Sequence, residues 1–523
     1  MTRRHFQIAV IGSGFAGTLT ALIAHRLGLS TVLIERGRHP RFVIGESSTP
    51  LANLLLEEIA GEYNLPFVRP LSKWGTWQKE LPQIACGLKR GFTFYHHEFG
   101  RPFAPDPDHR RQLLVGASPN ETVADTHWYR PEFDQYLVQQ AVKNGLTYWD
   151  EANLTEACER TEGMSLKGTR HGQKLEIKAD FVIDATGPRG FLHRHLALPE
   201  KEIPSFPATQ GLFAHFRKVG VLSPNFSVND LGLPYPAEQA AMHHIFPGGW
   251  IWVLKFNNGI TSAGVAATDA LANELNFFEG EAAWHRLLER LPSLAEIFQS
   301  AETITSFTHS PRLSFQSGKV AGSNWVLLPY AAGFVDPLLS TGFPLTLLGV
   351  KRLAGLLKSD WGGPAFQRGL AAYAEITKCE LEAAAELIGA LYSTMNRFDL
   401  FKNLTLLYFA AASYSETVRR LGKPHLADSF LLNCHAQFGP QLLQICRAAR
   451  SINSQTEADW LSKRIIEVIQ PFDVAGLSDR SSQSWYPAKA GDLFDNCAKV
   501  AATREEILAM LQRCGWRGEV PRQ

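Results

Sequence analysis

Apolar and polar positions follow two rhythms along this chain. The run FQIAVI, Phe6 to Ile11, is apolar and rich in strand formers; GSGFAG follows, then a helix-compatible stretch to about Gly28, then STVLIE as a second strand. This order opens a doubly wound α/β sheet. In STPLANLLLEEIAGEYN, Thr49 stands at an N-cap position and Pro50 at the first helical position, with Leu51, Leu54, Leu55 and Ile59 on one face. The proline-rich, polar stretch Phe99 to Arg111 predicts an irregular surface excursion that could border a pocket. ADFVIDATG predicts a buried strand ending at a glycine turn. GLFAHFRKV, HHIFPGGWIWVLKF and ITSAGVAA predict a second, mainly antiparallel sheet. Beyond Trp361 the period becomes helical, with Leu381, Ala384, Ile388 and Leu391 on one face. No internal repeat or low-complexity linker interrupts the chain. The expected division is an α/β domain at 1–205 plus 315–362, a sheet region at 206–314 and a helical C-terminal region at 363–523.

Composition narrows the class. At 523 residues the chain exceeds a single core, and 20% charged, 45% hydrophobic residues and a net charge of +1 suit a globular enzyme. Such a balance gives no electrostatic reason to expect nucleic acid. The seven cysteines are scattered and never spaced as C-x-x-C, so neither a metal site nor a disulfide framework is expected. The opening MTRRHFQIAVIGSGF resembles a signal peptide superficially, but its apolar run is short and passes into the glycine turn; a cytoplasmic first strand is expected. No stretch approaches the roughly 20 apolar residues of a membrane span.

Gly12, Gly14 and Gly17, with Ala16 among them, form G-x-G-x-x-G between strand and helix. That spacing allows a tight turn, close approach to a pyrophosphate and close helix packing. Glu35, roughly 20 residues on at the end of the next strand, suits a ribose hydroxyl. The alternative is a purely structural turn. Gly187 in DATG, with Gly333 and Asp336 in GFVDP, points to a dinucleotide whose far end returns to the same sheet. The pattern resembles FAD-binding proteins of the glutathione-reductase or hydroxylase type. Arg130 and Asp134 in YRPEFDQYL look like the R-x-x-F-D-x-x-L segment of those proteins, where the arginine lies by the cofactor; a surface ion pair within a helix is the alternative.

Five blocks together resemble the flavin-dependent halogenases over most of the chain: the glycine loop, GESSTP (Gly45 to Pro50), CGLKRGFTF (Cys86 to Phe94), GGWIWVLKF (Gly248 to Phe256) and AAGFVDPLLSTG (Ala331 to Gly342). The likeness is nearest to the phenolic, phloroglucinol-type branch. The resemblance implies that reduced FAD takes up O2 to a hydroperoxide, which chloride or bromide attacks to give hypohalous acid. It places Glu46 and Ser47 near the flavin, the halide at the backbone N–H groups of Thr341 and Gly342, and hypohalous acid at Lys89. A solvated loop lysine is the bland reading of Lys89. Trp250 and Trp252 match a W-x-W block linked to keeping substrate from the flavin; plain core packing is the alternative. The chain departs from the tryptophan-specific pattern at Leu339, where a glutamate is usual, which disfavours free tryptophan and agrees with a phenol. Leu328 and Pro329 replace a Gly-Asp pair, and Lys255 replaces a proline.

With no second glycine fingerprint for NAD(P)H, reduced flavin is expected from a separate NAD(P)H-dependent flavin reductase. The substrate expected is a small electron-rich aromatic, free or carrier-tethered. Rival readings are an aromatic hydroxylase, a prenyl-chain flavin reductase and a non-catalytic flavin-binding redox sensor. Glu46, His96, His97, His243 and His244 are acid–base candidates, each histidine having a structural alternative. The helical C-terminal region either lids the substrate cavity or serves as packing or a homodimer face.

Overall fold

The computed structural model describes residues 2–222 and 233–516. Its first sheet is the doubly wound one. Strands β1 (Thr2–Ile11) and β2 (Thr31–Ile34) flank the helix Phe15–Arg26. The parallel order continues through β7 (Thr147–Trp149) on one side and β10 (Gln173–Asp184) on the other. β1 starts four residues before the expected Phe6, because the long β10 offers Thr2 to His5 partners from Leu175 to Lys178. Gln173 to Ala179 of β10 also pair antiparallel with β9 (Gly163–Arg170), which continues to β8 (Ala152–Arg160), while Val182 to Asp184 pair parallel with Trp325–Leu327.

The second sheet has nine strands among the described residues and is mainly antiparallel. β11 (Thr209–Arg217), β12 (Ala241–Phe246), β13 (Gly249–Lys255) and β14 (Thr261–Thr268) are the three expected runs. Pro247 and Gly248, the latter at φ +84°, make the tight turn between β12 and β13. The sheet also takes in β4 (Gly91–His96) and β5 (Gln112–Gly116), which lie before residue 205 in the chain, because β4 pairs parallel with β12. Two short strands, β3 (Cys86–Lys89) and β6 (Asp125–Trp128), form a separate antiparallel pair.

The pleat of β13 sorts side chains between two cores. Trp250, Trp252 and Leu254 join the large core shared with the first sheet and the C-terminal helices. Ile251 and Val253 join a second core under the helices Glu281–Glu289 and Pro292–Phe298. Lys255 follows this second side, half-buried, and its N–H group lets β13 keep pairing with Thr261. The helix Pro364–Ser393 buries Leu381, Ala384, Ile388 and Leu391, as their spacing predicts. Phe99 to Arg111 is irregular and largely exposed; Phe103 packs on Tyr95 and His109 stacks on Trp485 at 3.5 Å, and none of the segment walls the main cavity.

Candidate active site

The glycine turn lies where β1 and β10 end side by side. Gly12 sits at φ +100°, and a Cβ there would meet Ala185 O at 2.7 Å; a Cβ on Gly17 would meet Gly12 O at 1.9 Å. Both glycines are required by the protein's own packing. Gly14 differs: the nearest atom to a Cβ there is Arg130 Nη2, at 3.6 Å. Its missing side chain therefore leaves an open cradle at the start of the helix Phe15–Arg26, where the first N–H groups have no partners within the helix. Ala16, partly exposed, lies in that first turn. Glu35 directly follows β2 beside the loop, accepting hydrogen bonds from Ser13 N (3.0 Å) and Ser13 Oγ (2.9 Å). Burial alone would raise its pKa, but Arg41 and the Gly37 and Ser13 N–H groups hold it below its ordinary value.

Arg130 is buried in this cradle rather than on the surface. It holds Asp134 through two hydrogen bonds, of 2.9 and 2.7 Å, and Gly45 O at 2.8 Å. Burial would lower its pKa, yet Asp134 outweighs this and keeps the guanidinium charged. The intrahelical ion pair and the position beside the glycine loop are thus the same feature. A glycine loop with an open face, a carboxylate at the end of β2 and a buried arginine fit the pyrophosphate and ribose of FAD. Gly187, at φ +86°, has among the described residues only the Tyr330 ring near a notional Cβ, at 3.7 Å.

The GES segment leads from this cradle to Lys89. Glu46 accepts a 2.7 Å hydrogen bond from His215, both side chains being buried. Lys89 is wholly buried, contrary to the surface expectation for a lysine. It ends β3 and donates to Ser47 Oγ (2.8 Å) and Ser48 O (2.5 Å), with its Nζ 3.8 Å from the centre of the Phe92 ring. Burial pulls the Lys89 pKa down and Asp125 opposes that pull.

A wall of rings runs from Lys89 along one face of the second sheet. Phe92 stacks with His243, which also stacks on Phe94 (4.5 Å) and Trp250 (5.2 Å). Trp250 Nε1 then donates to Asp336 Oδ1 at 3.2 Å, beside Leu338 N at 3.0 Å, while Tyr392 donates to Oδ2 at 2.9 Å. Asp336, expected at the cofactor, thus has both oxygens engaged by protein donors and ties the tryptophan wall to the turn that follows. Trp252 lies beside Trp250 and donates to Ser262 Oγ at 3.3 Å. Gly333 is set by packing, since a Cβ there would meet Leu381 Cδ1 at 2.6 Å.

The STG turn begins the helix Gly342–Ser359, after Leu339 and Ser340 at φ +65° and +55°. Thr341 and Gly342 line a small recess with Tyr330, Gly333 and Thr346. Pro344, in the same first helical turn, lines the far larger cavity on another side. That cavity has a volume of about 160 Å³ and is walled by Thr49, Phe92, Tyr408, Phe409, Glu416 and Tyr486, among others. The helix Phe398–Arg420 supplies Tyr408, Phe409, Ala412, Ser413, Glu416 and Thr417, so the C-terminal region covers the cavity.

The tryptophan halogenase family profile matches residues 122–404. The chain belongs to the tryptophan halogenase family. It is 29% identical over 359 residues to a monodechloroaminopyrrolnitrin halogenase of Pseudomonas fluorescens, a match covering 68% of this chain and 61% of that relative. It is 25% identical to a tetracycline 7-halogenase of Kitasatospora aureofaciens, covering 78% of this chain and 74% of the relative. The crystal structure of the halogenase PltM with phloroglucinol and FAD shares its fold, with a TM-score of 0.79 at 23% identity over 91% of this chain and 99% of that one.

Within this halogenase-family fold, the candidate histidines separate. His243 lies in the ring wall and burial lowers its pKa to about 3, so it is neutral. His97 and His244 bond to each other at 3.0 Å on the opposite face of the sheet, remote from the wall. His96 stacks on Phe398 at 5.0 Å. Sequence reasoning passed over Asp125, Asn53 and Glu416. Asp125 faces Lys89 across β3 and β6, and Asn53 Nδ2 donates to it at 2.8 Å. The one available signal was ADTHW, a polar residue opening an otherwise strand-like run.

Proposed function

We propose that this chain is a reduced-FAD-dependent halogenase that replaces hydrogen by chlorine or bromine on a small electron-rich aromatic, a phenol above all. The observation that carries this reading is the placement of Lys89: its ammonium lies buried against Phe92, and the same ring lines the cavity beneath the helix Phe398–Arg420. Gly12, Gly14, Gly17, Glu35 and Arg130 would hold FAD. When bound, the reduced flavin would supply two of the four electrons that reduce dioxygen, the halide giving up the other two as it becomes an electrophilic halogen species.

The protein's own residues account for the rest. Thr341 and Gly342 would hold halide by backbone N–H groups at a helix start. Lys89, a buried donor with Ser47 and Ser48 fixing its position, would hold hypohalous acid by a hydrogen bond. In a dry pocket that bond is stronger than in water. Phe92, Tyr408 and Phe409 give flat surfaces for an aromatic ring, and Glu416 offers an acceptor for its hydroxyl. A phenol oxygen already activates its ring, which agrees with Leu339 standing where a carboxylate would otherwise assist. The similar structure's phloroglucinol is itself a phenol. Flavin reduction would fall to a separate NAD(P)H-dependent reductase. No helix of the described residues is long and apolar enough to cross a membrane.

The test is product mass. With FAD, a flavin reductase, NADH and bromide, a panel of phenols, indoles and pyrroles should yield products gaining one bromine for one hydrogen, phenols foremost. Products gaining only oxygen would identify a hydroxylase and overturn the proposal.

A further inference from the structure

We propose that Asp125 is a positioning residue for Lys89: its carboxylate, buried directly across the β3–β6 pair, holds the lysine as an ammonium. The inference rests on Lys89 being the residue that meets the halogenating species. It goes further by naming what sets the charge on that residue.

The geometry is cross-strand. Lys89 and Asp125 are partners in an antiparallel ladder, so their side chains leave the same face. Lys89 is 0% exposed and Asp125 6%. Asn53, from the helix Pro50–Glu62, donates to Asp125 Oδ1 at 2.8 Å, while the buried Oδ2 has no hydrogen-bond partner among the described residues. Lys89 gives its own hydrogen bonds to a hydroxyl and a carbonyl, both neutral. An ammonium in such a place needs compensating charge, since desolvation otherwise favours the neutral amine.

The other groups facing this pair do not supply that charge. His127, next on the same face of β6, and His243 of β12 both have pKa values lowered first by burial and then by Lys89, so they are neutral. Glu416 on the helix Phe398–Arg420 is bound to Arg420 at 2.7 Å, which offsets its charge. Glu416 still adds to the burial that pushes Asp125 upward, while Lys89, Asn53 and Arg420 pull it down. Tyr408 stays neutral, raised by burial and then by Asp125. Asp125 is therefore the carboxylate on which the charge of Lys89 depends. Removing either leaves the other as an unpaired buried charge, which burial then drives toward its neutral form.

Direct titration tests this. The full-length protein is labelled with lysine carrying 13C at Cε, and the Lys89 resonance is assigned by its loss in Lys89→Met. In Asp125→Asn the Lys89 midpoint should fall by about one pH unit or more, a tenfold loss of ammonium at fixed pH above the midpoint. The pH profile of halogenation should move in the same direction. If Asp125→Asn does not fold, Asn53→Ala keeps the carboxylate but strips its donor, and a smaller fall is expected. An unchanged midpoint in the folded variant overturns the inference. A lowered midpoint in a protein whose Lys89→Met variant still halogenates would overturn the role of Lys89 and leave the Asp125 linkage standing.

Discussion

Tyr392→Phe removes one hydroxyl, the donor to Asp336 Oδ2 at 2.9 Å, and leaves the buried ring in place. Burial pushes the Asp336 carboxyl up to about 7, opposed by Leu338 N, Tyr392 and Trp250. An unfolded aspartate titrates near 3.9. Because the folded value is the higher one, this group favours the fold at low pH. That contribution is lost as pH rises from about 4 through 7, on the order of 4 kcal/mol. Above pH 8, Tyr392 serves a charged acceptor with no other donor at that oxygen among the described residues, and its loss should cost about 1.5–3 kcal/mol. At pH 5.5 the carboxyl is neutral and the cost should be about 0.5–1.5 kcal/mol. With unfolding entropy near 2.1 cal/mol/K per residue, a chain of this length loses about 2 °C of Tm in the first case and about 1 °C in the second. Scanning calorimetry of wild type and variant at both pH values reads the difference. Equal shifts at the two pH values, or a larger one in acid, would refute the reasoning that Asp336 is a buried carboxylate supported by Tyr392.

Gly14→Ala should weaken FAD binding at least about tenfold with little change in Tm, because the new Cβ enters the open cradle; Gly17→Ala should instead prevent folding, since its Cβ would collide with Gly12 O at 1.9 Å. Equilibrium flavin titration and circular dichroism separate the two outcomes. Glu416→Gln should raise KM for a phenol about tenfold, the worth of one charge-assisted hydrogen bond, with smaller effect on an aromatic lacking a hydroxyl. Steady-state kinetics on the two substrates check this.

Much of the fold is written in local patterns. The period of two in GWIWVLK sends Trp250, Trp252 and Leu254 to one core and Ile251 and Val253 to the other, and Thr49 caps its helix by accepting from Ala52 N at 3.3 Å. The glycine turn was legible because each glycine answers a local backbone demand. What escaped is non-local. Strand β6 spans only Asp125–Trp128, too short to announce its pairing with β3, so nothing local placed its opening carboxylate opposite Lys89. The motif around Asp336 gave no sign of two of its donors, Trp250 and Tyr392, which are far apart in the chain. The amphipathic stripe of the helix Phe398–Arg420 declares a buried face without saying that part of it covers a cavity.

The central claim is that Lys89 meets the halogenating species. Its most direct test compares wild type and Lys89→Ala, each supplied with FAD, a flavin reductase, NADH, bromide and the best phenol of the panel. Brominated product is read by mass spectrometry and FAD affinity by titration. Brominated product should fall by about a hundredfold or more in Lys89→Ala, with FAD affinity within about twofold of wild type. Bromination by Lys89→Ala at the wild-type rate would contradict the claim.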